Sequence, residues 1–173
     1  FINAGKTKQK GLEWTVAYEI LSDPQLPVML KVWNAGTYTR YTFENFKQAE
    51  VDLSGKLIPG IPRFSQNVGL DALFKYGLSA YVTYQHGDSF YLNDANTVKN
   101  TSYNQWIARI SWKKSWGQHF YSELSASAEK VNAGIYSLSY DLNAFGNRYY
   151  NAAPKNNVWA GVKVGWEWQK NSK

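Results

Sequence analysis

Residues 158–168 read Val158 Trp159 Ala160 Gly161 Val162 Lys163 Val164 Gly165 Trp166 Glu167 Trp168, with apolar side chains on the even positions and mostly Gly, Lys and Glu on the odd ones. A β-strand throws successive side chains to opposite faces, so this segment carries one greasy face and one polar face. The same two-residue period recurs along most of the chain. A sheet built this way needs a medium that accepts an uninterrupted apolar face, and the outside of a barrel in lipid provides one.

Composition narrows the medium further. The chain has 173 residues, 44% hydrophobic and 17% aromatic, yet its mean hydropathy is only -0.49. No apolar run approaches the roughly 20 residues of a membrane helix, which excludes a helical membrane protein. A barrel wall passes that test unseen, because lumen residues dilute the lipid-facing ones one to one. Eight Trp and thirteen Tyr suit such a wall, since amphipathic rings collect at both interfaces. Cysteine is absent, so there is no disulfide or thiolate metal site. The net charge of +6 is scattered or sits in expected turns rather than in a basic stripe, and nucleic acid is not an expected partner.

Seven strands are expected. In the first, Leu12, Trp14, Val16, Tyr18 and Ile20 share one face, and Glu13, Thr15, Ala17 and Glu19 the other. The phase runs back through Lys10, Lys8 and Lys6, so one long strand over 1–21 projects beyond the bilayer. The others fall at 28–43, 64–74, 78–85, 105–112, 120–128 and 158–168. Short links (22–27, 75–77, 113–118) alternate with long ones (44–63, 87–101, 129–157). Antiparallel strands reverse at each link, so the short links gather at one end of the sheet and the long ones at the other. Short periplasmic turns and long outer loops describe an outer-membrane barrel. A soluble sandwich or lipocalin also alternates apolar and polar residues, but it predicts no such segregation.

Strand parity bears on extent. Seven strands with a periplasmic C-terminus begin outside, whereas bacterial single-chain barrels have an even count with both ends periplasmic. No export signal opens the chain. The expectation is that 1–173 is the C-terminal part of a larger barrel, because an open wall leaves unpaired backbone groups in lipid, each costing several kcal/mol.

Three boxes then resemble the barrels of TonB-dependent outer-membrane receptors. Asn3 Ala4 Gly5 Lys6 Thr7 Lys8 Gln9 Lys10 Gly11 Leu12 Glu13 is similar to their "N-x-G-K-(basic-rich)-G-hydrophobic-E" strand. Leu57 Ile58 Pro59 Gly60 Ile61 Pro62 Arg63 resembles the "LPGVPRH" box that enters the next descending strand. Residues 146–161, from Gly146 Asn147 Arg148 Tyr149 Tyr150 to Val158 Trp159 Ala160 Gly161, resemble "GRYFEPAPGRNFYAG" ahead of the last strand.

The resemblance implies an all-β, antiparallel barrel of about 22 strands plugged by an N-terminal globular domain. Such receptors take up scarce ligands, namely ferric siderophores, ferric citrate, cobalamin or glycans, with energy passed from the inner membrane through TonB. The plug, the TonB box and the N-terminal strands then lie outside 1–173. The implied partners are the remainder of the barrel and plug, the TonB complex, outer-membrane lipid with lipopolysaccharide, and the barrel-assembly machinery; no cofactor is implied. The alternative is a passive porin or structural barrel, completed by another chain and lacking a plug. The assembly machinery reads a glycine, spaced hydrophobics and an end aromatic, which match Gly161, Val164, Trp166 and Trp168.

Ligand contact is expected on the polar face near the long loops. Tyr81, Gln85, Tyr103, Gln105 and Arg109 point inward in this phase, and Arg148, Tyr149 and Tyr150 lie in the last long link. The planar fork of arginine holds two oxygens of an anionic chelate, and tyrosine adds a flat contact with one hydroxyl. The competing role for Arg109 is an ion pair with a lumen carboxylate such as Asp71, or with one on the plug. Lys6, Lys8 and Lys10, outward beyond the apolar band, are expected to meet lipopolysaccharide phosphates. Catalysis has little to build on. His86 and Asp88 two residues apart and a lone turn residue, His119, form no nucleophile or metal constellation, and the chain is not expected to be an enzyme.

Overall fold

The computed structural model describes residues 5–23, 28–134 and 136–166. In chain order the strands are β1 (Lys6–Asp23), β2 (Val28–Asn45), β3 (Lys47–Gln48), β4 (Val51–Asp52), β5 (Phe64–Leu73), β6 (Leu78–Gly87), β7 (Tyr103–Trp116), β8 (Phe120–Asn132), β9 (Ser137–Tyr140), β10 (Tyr150–Ala152) and β11 (Asn156–Trp166). The seven long ones form a single antiparallel sheet in the order β1-β2-β5-β6-β7-β8-β11. Two small hairpins, β3 with β4 and β9 with β10, ride on the long links. Within the described residues β1 and β11 each pair on one side only, so the wall is open.

All seven expected strands are present, and several run longer than hydropathy indicates. The fifth extends to Trp116 and the sixth to Asn132, shrinking the link between them to three residues, 117–119. The backbone ladder continues through Lys113, Lys114 and Ser115, where polar residues on both faces leave no apolar period to read. The last strand begins at Asn156, two residues ahead of the expected start, and is described as far as Trp166. Trp168 lies outside the described residues, as do Asn3 and Ala4 at the start of the first box.

Register aligns every strand in phase. Tyr18, Val32, Leu70, Val82, Ala108, Ala128 and Val158 stand side by side across the whole sheet. Even-numbered residues therefore share one face. Val16, Ile110 and Val162 on that face are exposed, whereas Gln105, Ser111 and Ser127 on the odd face are buried. This inverts a water-soluble sheet, which buries its apolar face under a second layer. No second layer covers the even face among the described residues, and Leu70, Ile110 and Val162 do not gather into a nucleus.

The apolar band has two edges. On β7 it runs from Trp106 to Trp116, matching the roughly 9–11 residues with which a tilted strand crosses a bilayer. Trp116, Phe120 and Trp166 are in register along one rim. Tyr84 and Trp106 pack at 4.8 Å along the other, and Trp14 and Phe64 at 6.0 Å. Beyond that second rim the even face turns polar, with Gln66, His86, Asn104 and Asn132 in register.

The long links end on the polar rim and pack as a small water-soluble structure of their own. Leu92 is fully buried, and Phe43, Phe46 and Leu53 form a nucleus with Ile58 and Ala95. Asn96 and Asn143 join the links. The Asn96 side chain accepts from Leu57 N–H (2.7 Å) and donates to Leu57 C=O (2.8 Å). Asn143 Oδ1 accepts from Asp94 N–H (2.9 Å), and its amide donates to the Asp94 carboxylate (2.9 Å).

Candidate ligand-binding site

The odd face of β6 and β7 carries the polar groups from which a site can be built. Tyr81 stands directly opposite Arg109, Gln85 opposite Gln105, and Gly87 opposite Tyr103. These five side chains share one face because each pair sits in register, not because of any contact between them. Gly87 serves this arrangement: a Cβ there would lie 2.5 Å from the Tyr103 ring, so only glycine lets the ring lie flat across the strand.

Arg109 is paired with a carboxylate of its own face, and that carboxylate is Glu123 rather than the Asp71 given as the example. Its guanidinium lies 3.4 Å from the Glu123 carboxylate on β8, not beside Asp71. Asp71 instead accepts from Trp33 Nε1 at 3.2 Å and faces Lys31 at 4.0 Å. Strand order decides this: β7 neighbours β8, while Asp71 on β5 is separated from it by β6. Arg109 keeps about half of its side chain exposed (51%), and a guanidinium with five donors retains several for a second acceptor. Gln105 donates to Glu129, whose other oxygen accepts from Asn157 at 3.3 Å. Gln105 is thereby held, whereas Tyr81 and Gln85 are half-buried and make no side-chain hydrogen bond among the described residues.

Above these rows lies an aromatic cluster that the sequence reading located only in part. Tyr103 packs on Tyr136 (5.7 Å), Tyr140 on Tyr150 (5.7 Å, edge-on), and Phe90 edge-on to Tyr140 (5.3 Å). Tyr136, Tyr140 and Phe90 were not among the expected residues. They sit in long links, where no strand phase exists to say which way a side chain points. Their signal in the sequence is only the density of aromatics around residues 136–150. Burial, reinforced by the Tyr103 hydroxyl, the Glu129 carboxylate and Tyr140, holds the Tyr136 hydroxyl above its ordinary pKa, so it stays protonated as a donor at neutral pH.

The last long link divides its three expected residues. Tyr150 faces the cluster through Tyr140, and Arg148 is exposed. Tyr149 is buried (5%), its hydroxyl donating to Asn147 at 3.3 Å and its carbonyl accepting from Asp141 N–H at 3.1 Å. It is a packing residue of the loop, tied to Asn147 two residues earlier, which is itself in the left-handed region. His86 is on the even face, bonded to Asn104 (2.8 Å) and Asp88 (3.2 Å), away from the lumen residues.

On β11, Val164 and Trp166 are exposed on the apolar face, and Trp166 stacks with His119 at 5.6 Å. Gly161 faces Ser125 across β8. Taken together, the face offers two polar side chains without a hydrogen bond among the described residues, a half-exposed arginine and an aromatic wall. That set suits a bulky ligand with oxygen acceptors and flat surfaces. The sequence profile described as TonB dependent receptor-like, beta-barrel, matches residues 1–138. No curated protein matches the chain.

Proposed function

The chain belongs to the β-barrel family of TonB-dependent outer-membrane receptors, and from that premise we propose that it forms the C-terminal, closing wall of a plugged barrel of about 22 strands. The barrel imports a scarce ligand, an iron chelate, cobalamin or a glycan, on energy delivered through TonB. The observation that carries this reading is the two-sided wall: an exposed apolar face between aromatic rims, and a polar face leading up to a tyrosine-rich loop cluster. The plug, TonB and the assembly machinery are the partners this reading requires, the last engaging Gly161, Val164 and Trp166 of β11 together with Trp168.

In this role Tyr81, Gln85, Arg109 and Tyr150 contact the ligand, while Gln105 and Glu123 position their neighbours. The test is ligand uptake by cells carrying the complete receptor. Uptake that stops when TonB is deleted supports the reading; uptake that continues unchanged marks a passive pore and overturns it. Arg109→Ala is expected to weaken ligand binding about tenfold, the loss of one charge-assisted contact, with normal amounts of assembled receptor. Unchanged binding removes Arg109 from the site.

A further inference from the structure

Lys10 on β1 and Arg40 on β2 stand directly opposite each other on the even face. Like charges in direct cross-strand positions repel, and among the described residues neither makes an ion pair. Lys8 is one step further along the same face, opposite Thr42. A second arginine joins them from the following link: Arg63 donates to the Tyr38 hydroxyl at 3.2 Å, and Tyr38 is the even residue just before Arg40. All of these side chains are exposed. The pairing slips between Lys6 and Thr7, so Lys6 does not share this alignment.

The height of this cluster says what it meets. It begins one row beyond Leu12, Tyr38 and Phe64, and Phe64 with Trp14 marks the aromatic rim of the apolar band. It is on the lipid-facing side, at the end of the sheet where the long links emerge. At the opposite rim the outward cation Lys114 is already engaged, its ammonium 4.2 Å from the Trp116 ring. Four cations, two of them forced opposite each other, thus sit just outside the hydrocarbon edge, where the anionic headgroups of the outer leaflet lie.

We infer that Lys10, Arg40, Lys8 and Arg63 form a two-strand clamp for a phosphate of an outer-leaflet glycolipid, whose acyl chains lie down the apolar band below. Arg40 and Arg63 present forked donors to the phosphate oxygens, and Lys10 and Lys8 add point charges. The anion converts a repulsive register into a favourable one. The site faces lipid, distinct from the lumen site, and the inference rests on the outer-membrane reading above.

The test uses the complete receptor purified from outer membranes in mild detergent, with retained glycolipid counted by mass spectrometry of the intact protein. Lys10→Gln with Arg40→Gln is expected to lower retention about tenfold or more. Because this change relieves repulsion, assembly and ligand uptake are expected to stay normal, which separates failure here from failure of the transport reading. Lys56→Gln, an exposed loop lysine, leaves retention unchanged. Added back to the stripped receptor, phosphorylated glycolipid binds the native protein better than the double variant, and glycolipid lacking its phosphates does not distinguish them. Equal retention by native protein and double variant overturns the clamp. So does equal binding of the two glycolipids, or displacement of the glycolipid by millimolar inorganic phosphate, which would assign the site to a free anion.

Discussion

The wall and the loop cluster of this chain solve the same folding problem in opposite media. In the wall, large apolar side chains such as Val16, Ile110 and Val162 face outward and are exposed, and the buried positions are Gln105, Ser111 and Ser127. In the loop cluster, Leu92, Phe46 and Leu53 are buried, with Phe43 from the end of β2, and the amides of Asn96 and Asn143 tie segments together. The wall has almost no hydrophobic nucleus because its apolar face is not meant to leave its solvent. Its cohesion comes from the ladder, whose backbone groups have no competing partner in lipid. The loops stand in water, where backbone groups can always exchange to solvent, so they need burial and side-chain staples to hold one shape.

That contrast breaks most visibly at the centre of the band. Ile110→Arg is expected to cost about 2–4 kcal/mol when the complete barrel is refolded into bilayers, the penalty for a cation near the midplane. If that face were bathed in water, an exposed arginine would cost next to nothing, so an unchanged folding energy removes the lipid assignment. Leu92→Ala should act in the other regime. The expected loss is about 2–3 kcal/mol, the low end for a buried leucine because a loop relaxes around the gap, and it is confined to the loops. Amide exchange should rise across 44–63 and 87–102 while β7 and β8 keep their protection; a uniform rise would mean that loops and wall unfold together.

A smaller effect tests the staples. Asn96→Ala removes both bonds to Leu57 and leaves alanine at φ +57°, a left-handed conformation that asparagine tolerates better. A loss of about 1–2 kcal/mol in local opening of the loops is expected, read by protease nicking in the 44–63 link. The mildest probe is alkaline titration of tyrosine absorbance. The Tyr136 hydroxyl is raised because burial disfavours its anion. Below about pH 10 it is protonated in both folded and unfolded chain and costs nothing; above that the unfolded chain ionises first, so loop packing weakens only as pH rises further. Tyr136→Phe should remove the late component of the titration, and an unaltered curve would show that the hydroxyl is not enclosed.

Much of the wall was legible from residue order. The phase that places Leu12, Leu70, Ile110 and Val162 together appears in each strand separately, and the alternating link lengths put all long links at one end. The inward direction of Tyr81, Gln85, Gln105 and Arg109 follows from the same phase. Three things were not legible. The ends of β7 and β8 lie where both faces are polar, so no period marks them. The hairpins β3–β4 and β9–β10 are too short to carry one. Tyr149 is buried beside an exposed Arg148 in a link with no strand phase, so nothing in the residue order says which of the two turns inward.

Residue order alone determined which side of the sheet each wall residue occupies, because a strand has a period of two and one medium must be apolar. Only the tertiary structure decided who meets whom: that Arg109 finds Glu123 rather than Asp71, that Lys10 is set against Arg40, and that Tyr103 and Tyr136 share a cluster. Those outcomes are set by register and loop path, which are relations between segments, and no pattern within one segment contains them.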